Sequence, residues 1–545
     1  MKDSERSENS SKESQNGNQS SESKDEKDPM EILEEALDAC KFGRFHVRLL
    51  FITLAAQCAT TMVTTTTSYI MPNAECDLHM NIMQKGLANS MPFFGQVGAA
   101  LFTGFLIDAF GRKIFLVSGL LGIFVCSIIE GSSQNLWMLI FGKLMEGIFS
   151  SFCFTTPAVM VSEMVHRGVR DRVLLLNASF MSLSLILTAL MSWAILPHKW
   201  DFVLIEGYFV LHSWNFYLYI CSIWSLIAGV SYYFLPESPK FLLSHGQENE
   251  ALDVLKDIYC TNTGKDRDSF PITSLSASGT FTPTTKDTMK KQLTNALFEV
   301  KNLFRMPLVG RLFLFSVMTF VCLLAYSSLR LWYPQISTIV ENYQKEHNQT
   351  DWFCEMITDY TDSLHKKEIY MKNASYLETN LTVNKTEICV PQVSGPETYT
   401  NGMILGFMSL LGICISTYAV GIFGHKPLMF ALLLFCAACS GSLYWTNTLI
   451  LIALLISATC GFMQTALSLQ QNLLVRVFPT TLRSLSISII VMVGRMGSLL
   501  GSVLFPVMLT AGCMVPFLAL SILTFCVAGL VFLLPSPSAS SGGDK

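Results

Sequence analysis

Long apolar runs separated by short polar loops dominate the chain. Because a helix needs about 20 apolar residues to cross a bilayer, the first runs predict spans near 47–72, 87–108, 114–130, 137–163, 172–197 and 214–235. Beyond a polar stretch, further runs predict spans near 310–334, 401–422, 428–446, 448–471, 484–508 and 514–534. The pattern predicts an all-α membrane protein with twelve transmembrane helices in two six-helix halves.

Positive charges in the short loops orient these spans. Lys and Arg are enriched in cytosolic loops, and the loops after the even-numbered spans carry most of them: Arg112, Lys113, Arg167, Arg170, Arg172, Lys426, Arg476 and Arg483. The opposite loops offer mainly Lys85 and Lys199. Both termini are therefore predicted to be cytosolic.

A second, independent signal agrees with this topology. The loop 335–400, which the topology places outside, contains clustered glycosylation sequons at Asn348, Asn373, Asn380 and Asn384. Cys354 and Cys389 lie in the same loop, and Cys76 and Cys513 share its oxidising side. We favour a Cys354–Cys389 bridge, although four cysteines allow three connectivities.

The polar segments complete the predicted organisation. Residues 1–46 form a cytosolic segment, with a disordered Ser/Glu/Lys-rich tail and an amphipathic lead-in helix from Met30 that we expect along the inner membrane surface. The remaining predicted units are the N-terminal half 47–235, a cytosolic inter-half loop 236–308, the C-terminal half 309–534 with its glycosylated loop, and a cytosolic tail 535–545.

Composition supports a membrane protein and excludes several function classes. The chain is 51% hydrophobic and 14% charged, with a mean hydropathy of +0.42, whereas an ordinary soluble protein is about 25% charged. The cysteines form no paired CxxC…CxxC array, no phosphate-binding loop is present, and no nucleophile–base constellation stands out. We expect no enzyme activity, no cofactor, no metal site and no nucleic-acid partner.

The string GFLIDAFGRK at 104–113 marks the turn between the second and third spans. Gly104 permits close helix packing, Gly111 permits a tight turn, and Asp108 and Arg112 lie at the inner membrane edge, where each needs a partner or water. This string resembles the signature Gly-x-x-x-Asp-Arg-x-Gly-Arg-Arg/Lys of the major facilitator superfamily, with Ala109 in place of its first arginine.

Further strings resemble the sugar-porter branch of that superfamily. They are Pro-Glu-Ser-Pro-Lys at 236–240, Lys-x-x-x-Gly at 143–147 and Phe-Pro-Thr-Thr-Leu-Arg at 478–483. The resemblance implies an inner gate built from Gly104, Asp108, Gly111, Arg112, Lys113, Glu163, Arg167, Glu237 and Arg483. The corresponding hinge of the second half, GIFGHK at 421–426, has no acidic residue.

Three passages are similar to the synaptic vesicle glycoprotein 2 family. They are CKFGRFHVRLL at 40–50, SWAILPHKW with LHSWNFYLY between 192 and 219, and LPESPKFLLSHGQENEALDVL at 235–255. Vertebrate members of that family have a long outer loop of pentapeptide repeats, which 335–400 does not show. The resemblance implies either a transporter or a vesicle membrane protein that acts in trafficking or as a receptor.

Polar residues inside the spans are the candidate functional site, because charges within a bilayer are costly. Arg495, in the eleventh span, is either a structural cation or a counter-ion for an anionic substrate. Lys143 and Glu146 share a helix face and are either a neutralising pair or a proton-coupling site. Tyr326, Arg330 and Gln464 complete the candidate set.

The sequence favours secondary-active transport of a small organic solute by alternating access. The resemblance to the sugar-porter branch implies a pair of glutamines in the seventh span that hold sugar hydroxyls, but the predicted span 310–334 contains no glutamine. An organic anion drawn by Arg495 is therefore preferred. The expected partners are this small-molecule substrate, a coupling ion and the lipid bilayer, and we expect a monomer. The expected location is the plasma membrane or a secretory or synaptic-type vesicle membrane.

Overall fold

The computed structural model describes residues 29–205, 208–275, 305–306, 308–347, 351–363, 394–478 and 480–534. The helices of the first half are α1 (Pro29–Cys40), α2 (Arg44–Ala74), α3 (Ile82–Phe110), α4 (Arg112–Gly131), α5 (Leu136–Cys153), α6 (Thr156–Met164), α7 (Arg167–Ile195) and α8 (Ser213–Tyr233). An antiparallel hairpin, β1 (Phe202–Ile205) and β2 (Phe209–Leu211), joins α7 to α8. After α8 come α9 (Pro239–Ser244), α10 (Glu248–Thr263) and a 3-10 turn, Arg267–Ser269.

The second half is also helical. It contains α11 (Leu308–His347), α12 (353–363), α13 (Pro396–Phe423), α14 (His425–Ser442), α15 (Leu449–Val477), α16 (Thr480–Ala511) and α17 (Met514–Leu530). Two 3-10 turns, Leu443–Trp445 and Val531–Leu533, follow α14 and α17.

These helices confirm the predicted helical membrane architecture. Within the described residues, 11 helical segments are long and apolar enough to cross a membrane, and α5 with α6 counts as one of them. The predicted span near 87–108 lies inside α3, a continuous helix of 29 residues. The hairpin between α7 and α8 was not predicted, because its short apolar strands of Phe, Val, Leu and Ile lie in a loop between two predicted spans.

Helix pairs from opposite halves pack against each other: α2 with α11, α3 with α16, and α7 with α13. Within the second half, Gly497 and Gly501 bring α16 close to α11, since a Cβ at either position would collide with a backbone carbonyl of α11. These glycines therefore set helix packing on the face of α16 that contacts α11.

The lead-in helix α1 packs against α10. Its apolar residues Leu33, Leu37 and Cys40 are buried, and they belong to the same core as Leu255 on α10. The Cys40 thiol donates to the Leu255 carbonyl oxygen at 3.3 Å. Helix α10 of the inter-half loop therefore covers the apolar face of α1, and the position of α1 along the inner membrane surface stays a prediction.

The disulfide of Cys354 also differs from the favoured pairing. Cys354 is bonded to Cys513, 159 residues away, rather than to Cys389. The bridge ties the segment after α11 to the start of α17. Cys76 is disulfide-bonded as well. Cys389 and the sequons at Asn348, Asn373, Asn380 and Asn384 lie outside the described residues.

Candidate functional site

A cavity of about 400 Å³ separates the first half from α16 of the second half. It extends to the end of the bundle at which α3 ends and α4 begins. Its polar and aromatic lining includes Gln96, Thr103, Arg112, Ser151, Phe154, Thr155, Ser488 and Arg495. A cavity between the two halves is where a rocking transporter would hold its substrate.

Arg495 projects from α16 into this cavity. Its guanidinium carbon lies 3.9 Å from the centroid of the Phe154 ring, at the break between α5 and α6. Among the described residues no Asp or Glu pairs with Arg495, and the groups that interact with its charge are Arg330 and Tyr326. A cation–π contact stabilises the guanidinium without neutralising it, so the positive charge remains available to the cavity.

Arg330 and Tyr326 form a second cluster on α11. Arg330 is buried and donates to Thr65 Oγ1 at 2.7 Å and Thr64 Oγ1 at 3.3 Å, both on α2. Its guanidinium also lies 5.4 Å from the centroid of the Tyr326 ring. The Tyr326 hydroxyl is buried without a hydrogen-bond partner among the described residues. The cluster connects the two halves through α2 and α11.

Gln464 is not part of this arrangement. Its amide nitrogen is 3.3 Å from Met181 Sδ, between α15 and α7, and it does not line the cavity that contains Arg495. The structure therefore brings Tyr326 and Arg330 into contact, whereas Arg495 lines the cavity of about 400 Å³ and Arg330 lines a separate, smaller one.

Lys143 and Glu146 are in contact, as their spacing predicted. Lys143 Nζ is 2.7 Å from Glu146 Oε2 and also 2.7 Å from Glu130 Oε2 on α4. Glu130 was not predicted, because it ends an apolar run and precedes Gly-Ser-Ser, a typical loop start. The rule that singled out Lys143, a charge inside a span, also applies to Glu130.

Residues of the predicted inner gate contact one another around the start of α4. Arg112 Nη2 bonds Glu163 Oε1 at 2.9 Å, and the backbone N–H of Lys113 donates to Glu237 Oε2 at 3.0 Å. Arg167 Nε is 3.5 Å from Glu34 Oε1 of α1, a partner that sequence reasoning missed.

The glycines of this gate have distinct roles. Gly111 has φ +104°, a backbone conformation that favours glycine. Gly104 lies across the cavity from Ser488, where a Cβ would be 3.5 Å from the hydroxyl oxygen. The side chains of Asp108 and Arg483 lie outside the described residues.

Two helical halves around an inter-half cavity define a transporter of the major facilitator type. The family model for sugar (and other) transporters matches residues 9–335, more than half of the chain. The chain belongs to the sugar (and other) transporter family, and the predicted resemblance is confirmed.

Solved structures show the same fold. The partially occluded inward-open structure of the xylose transporter XylE from E. coli matches with a TM-score of 0.60 and 12% identity, over 90% of this chain and 100% of that one. The crystal structure of a D-xylose–proton symporter matches with a TM-score of 0.61 and 12% identity, over 90% of this chain and 98% of that one.

Curated relatives are synaptic vesicle glycoproteins. Synaptic vesicle glycoprotein 2B of Rattus norvegicus is 27% identical over 346 residues, 59% of this chain and 50% of that protein. Synaptic vesicle glycoprotein 2C of Homo sapiens is 25% identical over 322 residues, 56% of this chain and 44% of that protein. The alignments thus span about half the length of these relatives.

Proposed function

We propose that this protein is a secondary-active transporter that carries a small organic anion across the membrane by alternating access. The observation that carries the proposal is Arg495, a cation in the inter-half cavity with no acidic partner among the described residues. A charge at the centre of a membrane helix costs about 2.5–3.5 kcal/mol. An anionic substrate would offset that cost when it occupies the cavity.

The electrostatics of the cavity favour an anion over a cation or a neutral sugar. Its other cation, Arg112, is paired with Glu163, so Arg495 supplies an unbalanced positive charge. Phe154 covers one face of the guanidinium, while the N–H groups of a guanidinium lie in its plane and can bind a carboxylate through two hydrogen bonds. Phe154 also offers an apolar surface for the rest of an organic acid.

Alternating access requires a gate on each side of the site. On the inner side we assign this role to the contacts of Arg112, Lys113 and Glu237, and on the outer side to Arg330 with the α2 threonines. We place the protein, as a monomer with both termini in the cytosol, in the plasma membrane or a secretory or synaptic-type vesicle membrane, and we assign it no enzyme activity. The domain boundaries remain those proposed from the sequence.

Uptake by the purified protein in liposomes tests the proposal. The panel comprises radiolabelled benzoate and succinate as anions, tetraethylammonium as a cation and glucose as a hexose. We expect anion uptake, its loss in Arg495→Leu, and partial retention in Arg495→Lys, which keeps the charge but not the planar fork. Arg267→Leu is the control, because Arg267 lies on the exposed loop after α10. Anion uptake that is equal in Arg495→Leu and wild type would contradict the assignment.

A trafficking or receptor role is the second candidate. The observation in its favour concerns the hinge of the second half, GIFGHK at 421–426. There Lys426 donates to the Leu534 carbonyl oxygen rather than to a carboxylate. The relatives named above are vesicle glycoproteins. Folded protein that transports nothing in the panel would favour this candidate.

A further inference from the structure

Two buried carboxylates share one lysine in the first half. Lys143 Nζ lies 2.7 Å from Glu130 Oε2 and 2.7 Å from Glu146 Oε2, and the exposed fractions of the three side chains are 0%, 0% and 4% in that order. The lysine's third contact is Thr66 Oγ1 at 3.2 Å. Glu130 fits between α4 and α5 because Gly142 faces it, and a Cβ there would lie 2.5 Å from Glu130 Cγ.

Lys143, Glu130 and Glu146 form a buried triad. The groups around this triad do not supply a second positive charge. Helix α2 contributes the Thr66 hydroxyl, α4 contributes the Cys126 thiol and the Ser127 hydroxyl, and α8 contributes the Cys221 thiol. Ser127 Oγ donates to Glu146 Oε1 at 2.7 Å. Among the described residues, one cation therefore faces two carboxyl groups.

The charge balance of the triad indicates that it binds one proton. With both carboxylates ionised the triad has a formal charge of −1, and an uncompensated charge in a dry interior is costly. Two carboxyl groups that share a site cannot both ionise easily. One added proton makes the triad neutral. We propose that Glu130, Glu146 and Lys143 form a binding site for a single proton, held by either carboxyl group.

A water-sized cavity lies beside the triad. It adjoins Glu146 and is lined by the hydroxyl groups of Thr66, Ser127, Ser222 and Ser225. Its volume of about 10 Å³ is roughly that needed by one water molecule. A water molecule in this cavity would have hydroxyl groups as hydrogen-bond partners next to Glu146.

The triad is also connected to the other half. Thr66 contacts Lys143, while the preceding residues Thr64 and Thr65 accept hydrogen bonds from Arg330 on α11. A change in the triad's charge thus acts on the same short segment of α2 that holds the halves together. We infer that uptake of this proton is coupled to the movement of the two halves; this inference rests on the proposed transport function.

Infrared spectroscopy tests the proton site without a substrate. A protonated carboxyl group has a C=O stretching band that a carboxylate lacks, and we expect this band in the wild-type protein at neutral pH. Glu130→Gln and Glu146→Gln should each abolish it, because the remaining carboxylate then forms a neutral pair with Lys143.

Glu341→Gln is the matched control for this experiment. Glu341 is a buried carboxylate outside the triad, paired with Lys345 at 2.9 Å and accepting from the Gly395 N–H at 3.1 Å, so its variant should keep the band. A wild-type spectrum without the band would overturn the proton site, and this result needs no variant to fold. A band that survives both triad variants would overturn it too.

Liposome uptake tests the coupling separately. An imposed inward proton gradient should raise anion uptake several-fold in wild type, whereas Glu130→Gln should take up anion equally with and without the gradient. Wild-type anion uptake that is the same with and without the proton gradient would overturn the coupling. The infrared and uptake results can also differ. If the band is present in wild type and lost in both triad variants, but no compound of the panel is transported, the proton site stands and the proposed function is refuted.

Discussion

Replacing Gly111 by alanine tests the contact between Glu237 and the start of α4. Gly111 lies between α3 and α4 with φ +104° and ψ 158°. A Cβ at this position would lie 2.5 Å from Glu237 Oε2. That oxygen accepts the hydrogen bond from the Lys113 N–H at 3.0 Å, so the side chain cannot keep this contact and also make room for the methyl group.

Two costs follow from this geometry. A backbone conformation that is nearly exclusive to glycine costs another residue about 1–3 kcal/mol. Moving Glu237 away loses a charge-assisted hydrogen bond, with a cost of about 1.5–3 kcal/mol. The expected loss in the free energy of unfolding for Gly111→Ala is therefore roughly the sum, about 2.5–6 kcal/mol.

The second half provides a matched control. Gly424 lies at the corresponding turn with φ +80° and ψ 171°, and among the described residues no atom lies within 4 Å of a Cβ built there. Gly424→Ala should incur the backbone cost alone. The difference between the two variants should be about 1.5–3 kcal/mol, measured by unfolding in mixed micelles. Equal destabilisation of the two variants would refute the assigned role of Glu237.

Three further predictions concern other parts of the fold. Gly147→Ala should reduce the melting temperature because a Cβ would collide with backbone of α3, whereas Gly98→Ala, with open space around its Cβ, should not. Burial raises the pKa of the Cys40 thiol to about 12, so little thiolate forms at neutral pH and maleimide should label Cys40 only after unfolding. Non-reducing peptide mapping should recover a peptide in which Cys354 is joined to Cys513, and a peptide with Cys354 joined to another cysteine would contradict the fold. Cys354→Ser should lower the free energy of unfolding by about 2–4 kcal/mol.

The spans and the local contacts could be predicted from the sequence. Apolar runs of bilayer length identify membrane helices because the bilayer sets their length. The Lys143–Glu146 contact was predictable because residues three apart share a helix face. The gate contacts of Arg112 and Gly111 were implied by a recognisable string. In each case the signal lies within a short stretch of sequence.

The contacts that were missed depend on packing between distant segments. Cys354 and Cys513 are 159 residues apart, and nothing near either cysteine specifies its partner. Phe154 carries no charge that would single it out beneath Arg495. The amphipathic face of α1 is equally suited to a membrane surface or to α10, and only the folded chain shows which one covers it.

Counterflow measures the central claim most directly. Liposomes loaded with unlabelled benzoate, at equal pH on both sides, should accumulate external radiolabelled benzoate through the wild-type protein, because alternating access exchanges one bound anion for another. Arg495→Leu should abolish the accumulation, and Arg267→Leu should leave it intact. Accumulation by Arg495→Leu at the wild-type rate would contradict the anion site.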